Sequence, residues 1–357
     1  MSQPIDHLAG VAARARLDLN SATTVRPVPV LPGRSLRRAA PAPAPRGRAR
    51  LLRSPVLVGL AAALFVLGIL IGIGSVRERE RFPHNVLASV EAGDRPSAVA
   101  TDGTTVWVAD EGSGRVLAFD ARRLSVRWVA SVGPRPVALA YGFGALWVVD
   151  AGDRKLRELD PGDGHVLGLA NTSIDPVAVT ILDRVWVLAA GNATVDGYNP
   201  QTLTQDRSGR GLFSPTSVTV GSGVLWVATR DGLCRVLPTG GDASTVDTGG
   251  AASLVAAGGQ LVWLTSATGE VRAFDPATSR VLSRAALPGR PTAIAAAGTG
   301  VAVATDDGTI SYLDAPGASP RVLAHTGAVL SNLAVAGDLL LGTSPTTALL
   351  YRMEIPS

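Results

Sequence analysis

The stretch "VWVAD" at residues 106–110 is followed forty residues later by "LWVVD" at 146–150. The pattern returns as "VWVLA" at 185–189, "LWVAT" at 225–229 and "VWLTS" at 262–266, so that successive tryptophans stand 40, 39, 40 and 37 residues apart. These residues are Trp107, Trp147, Trp186, Trp226 and Trp263. Aliphatic residues flank each indole, which indicates a packing role, and a fixed period of this length is typical of a repeat architecture.

Continuing the same period leads to "VAVAT" at 301–305 and "LLLGT" at 339–343, which makes seven units. A strand of small residues precedes each core, as in "PSAVAT" at 96–101. A polar loop, a third strand such as "RVLAFD" at 115–120, and a turn to a fourth strand follow it. Four short strands in about 39 residues are typical of a propeller blade. The sequence therefore predicts an all-β fold, a seven-bladed β-propeller.

This geometry explains the residue type at each repeat position. The first strand of a blade lies nearest the axis, so small side chains allow the strands to converge there. These residues are Ala98, Ala138, Ala178, Thr219 and Ala293. The second strand is covered on both faces and is an unbroken apolar run. We assign the tryptophans a structural role as fillers of the widening wedge between blades, the alternative being a ring of indoles that stacks on a ligand.

Two further features of the repeats lead to structural predictions. The seventh unit ends one strand short, while "HNVLASVEA" at 84–92 has the pattern of a fourth strand, so we expect these residues to pair into the last blade and close the ring. An Asp or Asn recurs at the end of the third strand, at Asp120, Asp160, Asn199, Asp275 and Asp314. Side-chain oxygens at such positions cap turns, so these residues are interpreted as turn formers.

The segment "PVLVGLAAALFVLGILIGIGSV" at 55–76 contains no charged residue. As a helix it would span about 33 Å, close to the thickness of the hydrocarbon core of a bilayer. Its exit, "SVRERERF" at 75–82, lacks a small-residue cleavage site, so a signal anchor is favoured over a cleaved signal peptide. Residues 1–54 carry ten arginines against two aspartates. The positive-inside rule predicts a single-pass cell-membrane protein with a cytoplasmic N-terminus.

The predicted organisation is therefore a basic cytoplasmic tail at 1–54, a transmembrane helix at 55–76, a linker at 77–83 and an extracytoplasmic propeller at 84–357. The tail lacks aromatic residues and a folded module, so we expect no nucleic-acid partner. Gly68 and Gly72 form a GxxxG pattern, which is compatible with a weak homodimer through the membrane helix.

The composition gives material for a large core, with 46% hydrophobic residues, and Cys234 is the single cysteine, so no intrachain disulfide can form. In a propeller, the loops from second to third strand and from the fourth strand to the next blade emerge on one face. The candidate ligand-binding residues there are Asp110, Glu111, Asp150, Asp153, Arg230, Asp306, Arg135 and Arg290. Their mixed charge suits a protein, peptide or glycan ligand, the alternative being a solvated rim. No catalytic residue, metal set or cofactor is predicted.

The order of Pro, small apolar strand, Gly, "LWV", polar loop and "FDP" resembles the YVTN and NHL types of propeller repeat, over about residues 84–357. This superfamily includes the virginiamycin B lyase family. For that family the resemblance implies a metal-assisted site of histidines and glutamates near the axis, whereas we assign His84, His165 and His325 to outer strands or turns. We favour a binding, scaffold or sensory module, the alternative being a metal-dependent lyase or hydrolase of the virginiamycin B lyase or lactonase type.

Overall fold

The computed structural model describes residues 86–356, which contain strands and connecting turns and no helix. No part of this range could therefore cross a membrane as a long apolar helix. The predicted tail (1–54), transmembrane helix (55–76), linker (77–83) and His84 lie outside the described residues. The Gly68 and Gly72 pair lies outside them as well.

The described chain folds into seven sheets arranged as the blades of a propeller, as the sequence predicted. The first strand, β1 (Val86–Glu91), belongs to the last blade. Blade 1 contains β2 (Pro96–Thr101), β3 (Thr105–Asp110), β4 (Arg115–Asp120) and β5 (Val126–Ser131). Blade 2 contains β6 (Pro136–Gly142), β7 (Ala145–Asp150), β8 (Lys155–Leu159) and β9 (Val166–Asn171). Blade 3 contains β10 (Pro176–Ile181), β11 (Val185–Ala189), β12 (Thr194–Tyr198) and β13 (Gln205–Arg210).

The remaining blades repeat this order with one irregularity. Blade 4 contains β14 (Pro215–Gly221), β15 (Val224–Thr229), β16 (Gly232–Val236) and β18 (Ser244–Val246), and β17 (Gly241–Asp242) lies between β16 and β18 in the chain. Blade 5 contains β19 (Leu254–Gly258), β20 (Leu261–Thr265), β21 (Glu270–Asp275) and β22 (Arg280–Ala286). Blade 6 contains β23 (Pro291–Ala297), β24 (Gly300–Thr305), β25 (Thr309–Leu313) and β26 (Arg321–His325). Blade 7 contains β27 (Asn332–Ala336), β28 (Leu339–Ser344) and β29 (Leu349–Glu354). The irregularity is β17, which leaves blade 4 and pairs in parallel with β13 of blade 3.

The ring closes through β1, which was expected from the pattern of residues 84–92. In the last blade the strand order is β1-β29-β28-β27, and β1 runs antiparallel to β29 with Ser89 opposite Tyr351. The first and last described strands thus share one sheet, and β1 covers the edge of β29 that would otherwise be unpaired.

The core is divided into seven apolar clusters, each lying between two neighbouring blades. The five repeated tryptophans are 0% to 2% exposed, and each packs against the second strand of the next blade. Trp107, for example, lies in one cluster with Leu146 and Val148 of β7. Ala302 and Leu341 occupy the tryptophan position in blades 6 and 7.

Hydroxyl groups near the axis link some of the blades to one another. The inner strands that begin with Pro have a β-bulge directly after it. Three hydroxyl groups near the start of an inner strand donate hydrogen bonds to carbonyls of the next blade. Ser97 Oγ donates to Pro136 O at 2.8 Å, Thr216 Oγ1 to Ser253 O at 2.7 Å, and Ser331 Oγ to Ser97 O at 3.3 Å. The inner strands of all seven blades enclose an axial cavity of about 220 Å³, and most of the residues around it are aliphatic.

The Asp or Asn that recurs at the end of the third strand forms turns, as predicted, in four of its five occurrences. Asp120 Oδ1 accepts hydrogen bonds from the N–H groups of Arg122 and Arg123, at 3.0 and 2.9 Å. The side chains of Asp160, Asn199 and Asp275 accept equivalent bonds. Asp314 differs, since its carboxylate pairs with Arg321 at 3.2 Å across the blade.

Substitution of an inter-blade tryptophan tests the packing role of the repeat. We expect Trp147→Ala to lower the free energy of unfolding by about 3–5 kcal/mol, because it leaves a cavity between blades 2 and 3. Trp128→Ala serves as the comparison and should cost less, because Trp128 lies on the outer strand β5 and is only partly buried against the cluster between blades 1 and 2. Urea denaturation followed by circular dichroism measures both values. Equal losses for the two variants would contradict the assignment.

Candidate functional site

One face of the ring carries two sets of loops, and we call it the funnel face. Strands alternate in direction within each blade, so the loops from second to third strand reach the same face as the entry loops. An entry loop is the segment between the outermost strand of one blade and the first strand of the next. The turns from first to second and from third to fourth strand lie on the opposite face, where β1 also begins at Val86.

Asp110 lies at the end of β3 and its side chain is fully buried. Its Oδ1 accepts the backbone N–H of Arg95 at 2.9 Å and that of Gly112 at 3.2 Å, and Oδ2 accepts the Ser113 hydroxyl. Burial alone would raise the pKa of Asp110, but the hydrogen bonds from Ser113 and the backbone outweigh it and lower the pKa. This carboxylate therefore joins the entry loop of blade 1 to the β3–β4 loop.

Asp150 occupies the same position in blade 2 and is also fully buried, but its surroundings are poorer in donors. Oδ2 accepts a hydrogen bond from Arg157, which also pairs with Asp153, whereas Oδ1 is buried without a partner. Burial raises the pKa of Asp150 to about 6 despite the attraction of Arg157. The carboxylate is thus buried beneath the funnel face, where burial destabilises its ionised form relative to the protonated one.

The position of these two aspartates is buried in every blade. It is the third residue after the tryptophan position, and the other blades have Ala189, Thr229, Ser266, Thr305 and Ser344 there. Several of these hydroxyls bond within their own loop; Thr229 Oγ1, for instance, donates to Gly232 O at 3.0 Å. Asp110 therefore holds its loop from within, whereas Asp150 is linked to its loop only through Arg157, which also pairs with Asp153. The surface of the funnel face is formed by other residues.

Glu111, Arg135 and Arg95 form a charged cluster at the surface, between the entry loops of blades 1 and 2. Glu111 Oε1 lies 3.3 Å from Arg95 Nη2 and 3.4 Å from Arg135 Nε, and both arginine side chains are more than half exposed. Exposed ion pairs of this kind contribute little to stability, so the cluster leaves two cationic side chains accessible to solvent.

The other predicted residues lie in blades 4 and 6. Arg290 and Asp306 are exposed and are joined by two hydrogen bonds: the Arg290 N–H donates to the side-chain Oδ1 of Asp306, and the Asp306 N–H donates to Arg290 O, each at 2.9 Å. Arg230 is exposed, and its N–H donates to Phe213 O at 3.2 Å. The structure thus distributes Arg135, Arg230 and Arg290 around the ring instead of gathering them into one pocket.

Two apolar residues of this face were missed by the sequence analysis. Ile174 and Phe213 lie in the entry loops of blades 3 and 4, and each is 54% exposed. Each is followed by a residue with positive φ, Asp175 at 55° and Ser214 at 46°, and then by the buried proline that opens the inner strand. The sequence did contain a signal for them, because a large apolar residue stands two positions before the proline in blades 3 and 4, whereas Asp94 and Pro134 stand there in blades 1 and 2.

The described residues contain no group of three or more His, Cys, Asp or Glu side chains that could hold a metal ion. His165 lies in the turn before β9 and His325 on β26, both at the outer side of their blades, as the sequence analysis assigned them. Cys234 is buried on β16.

No protein-family model and no curated protein matches this chain. Solved structures do match it. BamB from Moraxella catarrhalis has a TM-score of 0.53 and 20% identity, covering 74% of this chain and 83% of that one. Hydrazine synthase from Kuenenia stuttgartiensis has a TM-score of 0.63 and 13% identity, covering 76% of this chain and 99% of that one. At these identities the likeness is one of fold.

The buried carboxylate of Asp150 predicts a pH dependence of stability. Its pKa in the folded chain, about 6, lies above the ordinary value of 3.8. Between these values the folded state holds a proton that the unfolded state has lost, so the contribution of Asp150 to stability falls as pH rises through this window. We expect Asp150→Asn, which carries no charge, to be more stable relative to wild type at pH 7 than at pH 4.

Thermal unfolding of wild type and variant at a series of pH values measures this difference. Asp110→Asn is the matched control, because the pKa of Asp110 is lowered from 3.8, so its effect has the opposite sign and lies mainly below pH 4. A difference between wild type and Asp150→Asn that is unchanged from pH 4 to pH 7 would contradict the prediction.

Proposed function

We propose that this chain is a single-pass membrane protein whose extracytoplasmic propeller, built from repeats of the YVTN or NHL type, binds a protein, peptide or glycan ligand on the funnel face. The fold and the arrangement of the loops come from the structure. The membrane anchor and the location outside the cytoplasm rest on the apolar segment 55–76 and the charge asymmetry around it.

The observation that carries the binding proposal is the exposure of Ile174 and Phe213 in consecutive entry loops. Both residues are 54% exposed although the prolines two positions later are buried, so the loops present them outward. Large apolar side chains lose favourable burial energy when they stay in water. Aromatic and aliphatic anchors surrounded by polar and arginine side chains are typical of binding interfaces.

The charged residues complete this surface. Arg135 lies in the entry loop of blade 2, next to the blade 3 loop that carries Ile174. Arg230 lies beside Phe213, because its backbone N–H donates to Phe213 O. Arginine can pair with carboxylates and stack on planar groups, so this combination suits a ligand with both polar and apolar parts.

A photo-crosslinking experiment tests the binding face. We expect p-benzoylphenylalanine in place of Phe213 to give a discrete higher-mass adduct in intact cells, because this side chain would contact the ligand. Phe143 offers a matched control: it is 50% exposed but lies in the β6–β7 turn on the opposite face. Gel electrophoresis and mass spectrometry read out the adducts.

Once the crosslinked partner is identified, Phe213→Ala is expected to weaken its binding by about tenfold or more, as loss of an interface anchor does. Phe143→Ala should leave the affinity unchanged. A partner that crosslinks from position 143 and not from position 213 would overturn the choice of face.

Cysteine labelling tests the proposed topology independently of the ligand. We expect a cysteine introduced by Ala267→Cys, at an exposed position of blade 5, to react with a membrane-impermeant maleimide in intact cells. A cysteine from Ser35→Cys, in the predicted cytoplasmic tail, should react only after lysis. Cys234 is buried, so native background labelling is expected to be low. The reverse pattern would refute the topology.

A further inference from the structure

The outer strand of blade 2 presents an unusual edge to solvent. In the order β6-β7-β8-β9, the strand β9 is last, and its outer side pairs with no strand of the described chain. Its burial alternates, with Leu167 55% and Leu169 53% exposed. Its sequence, "VLGLAN", has no charged residue and no proline. Such an uncharged apolar edge is open to pairing with another strand.

The other outer strands carry the features that discourage such pairing. Among the described outer strands of five or more residues, β9 alone lacks a charged or titratable side chain. The others contain Arg127 in β5, Asp206, Arg207 and Arg210 in β13, Arg280 and Arg284 in β22, Arg321 and His325 in β26, and Glu91 in β1. Charges on an edge oppose strand addition because pairing would desolvate them or place like charges together.

The molecule itself shows that a blade of this fold can accept a fifth strand. β17 pairs with the outer side of β13, with Gly209 opposite Gly241 and Arg210 opposite Asp242. The comparable edge of β9 carries no such strand. One face of β9 packs closely on the neighbouring blade, because a Cβ at Gly168 would collide with Leu203 Cδ1 of that blade. The edge is therefore a preformed surface.

We propose that β9 pairs antiparallel with β9 of a second copy of this chain. A two-fold axis through Gly168 places Leu167 of one copy opposite Leu169 of the other. Residues opposite each other in an antiparallel pair point to the same face of the sheet, so the four leucines meet in one cluster. The two blades then form one continuous sheet, and an isologous contact of this kind closes as a dimer.

The charges at the two ends of the strand match this arrangement. Asp163 is exposed just before β9 begins, whereas Lys155 lies beside its end, where its Nζ donates to Asn171 Oδ1. Antiparallel pairing brings the beginning of one β9 to the end of the other. Asp163 of each copy thus approaches the lysine-bearing end of its partner strand, and no like charges are set opposite each other along the edge.

Disulfide crosslinking between two single-cysteine variants tests both the dimer and its register. Leu167→Cys and Leu169→Cys are made separately in the full-length chain with Cys234→Ser, purified, mixed in equal amounts and mildly oxidised. Opposite residues of antiparallel strands have Cα atoms about 4.5–5.5 Å apart, within the range for a disulfide. We expect the mixture to form several-fold more disulfide-linked dimer than either variant alone.

A matched pair on another blade controls for random collision. Leu282→Cys and Arg284→Cys lie at alternate exposed positions of the charged strand β22, and their mixture should form no more dimer than its components. Equal crosslinking of the β9 and β22 pairs would overturn the proposal.

A mass measurement without cysteines gives the second test. In light scattering, the full-length chain should have twice the mass of one copy, and Leu167→Lys with Leu169→Lys should reduce it to one copy at an unchanged melting temperature. The double variant Gly68→Leu, Gly72→Leu separates this contact from pairing through residues 55–76. Loss of the dimer in that variant with retention in the lysine variant would refute pairing through β9, as would a monomeric wild-type chain.

Discussion

The contact between each repeated indole and the second strand of the next blade holds the ring together. Because the blades diverge with distance from the axis, a side chain at this radius must fill a wedge, and tryptophan has the largest volume available. Where blades 6 and 7 have Ala302 and Leu341 instead, other residues complete the cluster. Between blades 6 and 7 these include Tyr312, Leu340 and Met353. The apolar contacts between blades thus set the spacing of the sheets, and the loops follow from it.

The same second strands also support the loops of the funnel face, through the residue at which each strand ends. Three residues after the tryptophan position, the second strand ends in a buried residue, and the loop folds over it. Where that residue is Asp110, backbone donors from two segments converge on a single carboxylate. The exposed charges and apolar residues then lie beyond this buried layer. A rigid inner layer of this kind allows variable side chains on its surface without change in the sheets.

The fold could be predicted from the sequence because each of the seven blades needs apolar residues at the same positions. This shared requirement produces a regular period of tryptophan and aliphatic residues. The closing strand was predictable for the same reason, since the last unit lacked one. The burial of Asp110 and Asp150 was harder to predict, because a carboxylate at the start of a loop has the same sequence signature whether it faces water or the loop backbone. The exposure of Ile174 and Phe213 depends on the direction of two entry loops. It could not be predicted from a repeating pattern, because a single apolar residue in a short loop forms no such pattern. The ligand-binding role of the charged residues stays a prediction.

The pairing of β1 with β29 also affects how the chain reaches its native state. The strand that precedes all seven repeats finds its partner only in the last of them, so the ring cannot be sealed until the seventh repeat has been synthesised. Contacts between such distant segments slow folding, since a long loop must close before they form. In the meantime the edges of β1 and of each newly formed blade remain unsealed, and nascent chains in that state are vulnerable to aggregation. The early blades can form one after another as the polypeptide grows, but the pairing of β1 with β29 that closes the ring forms late.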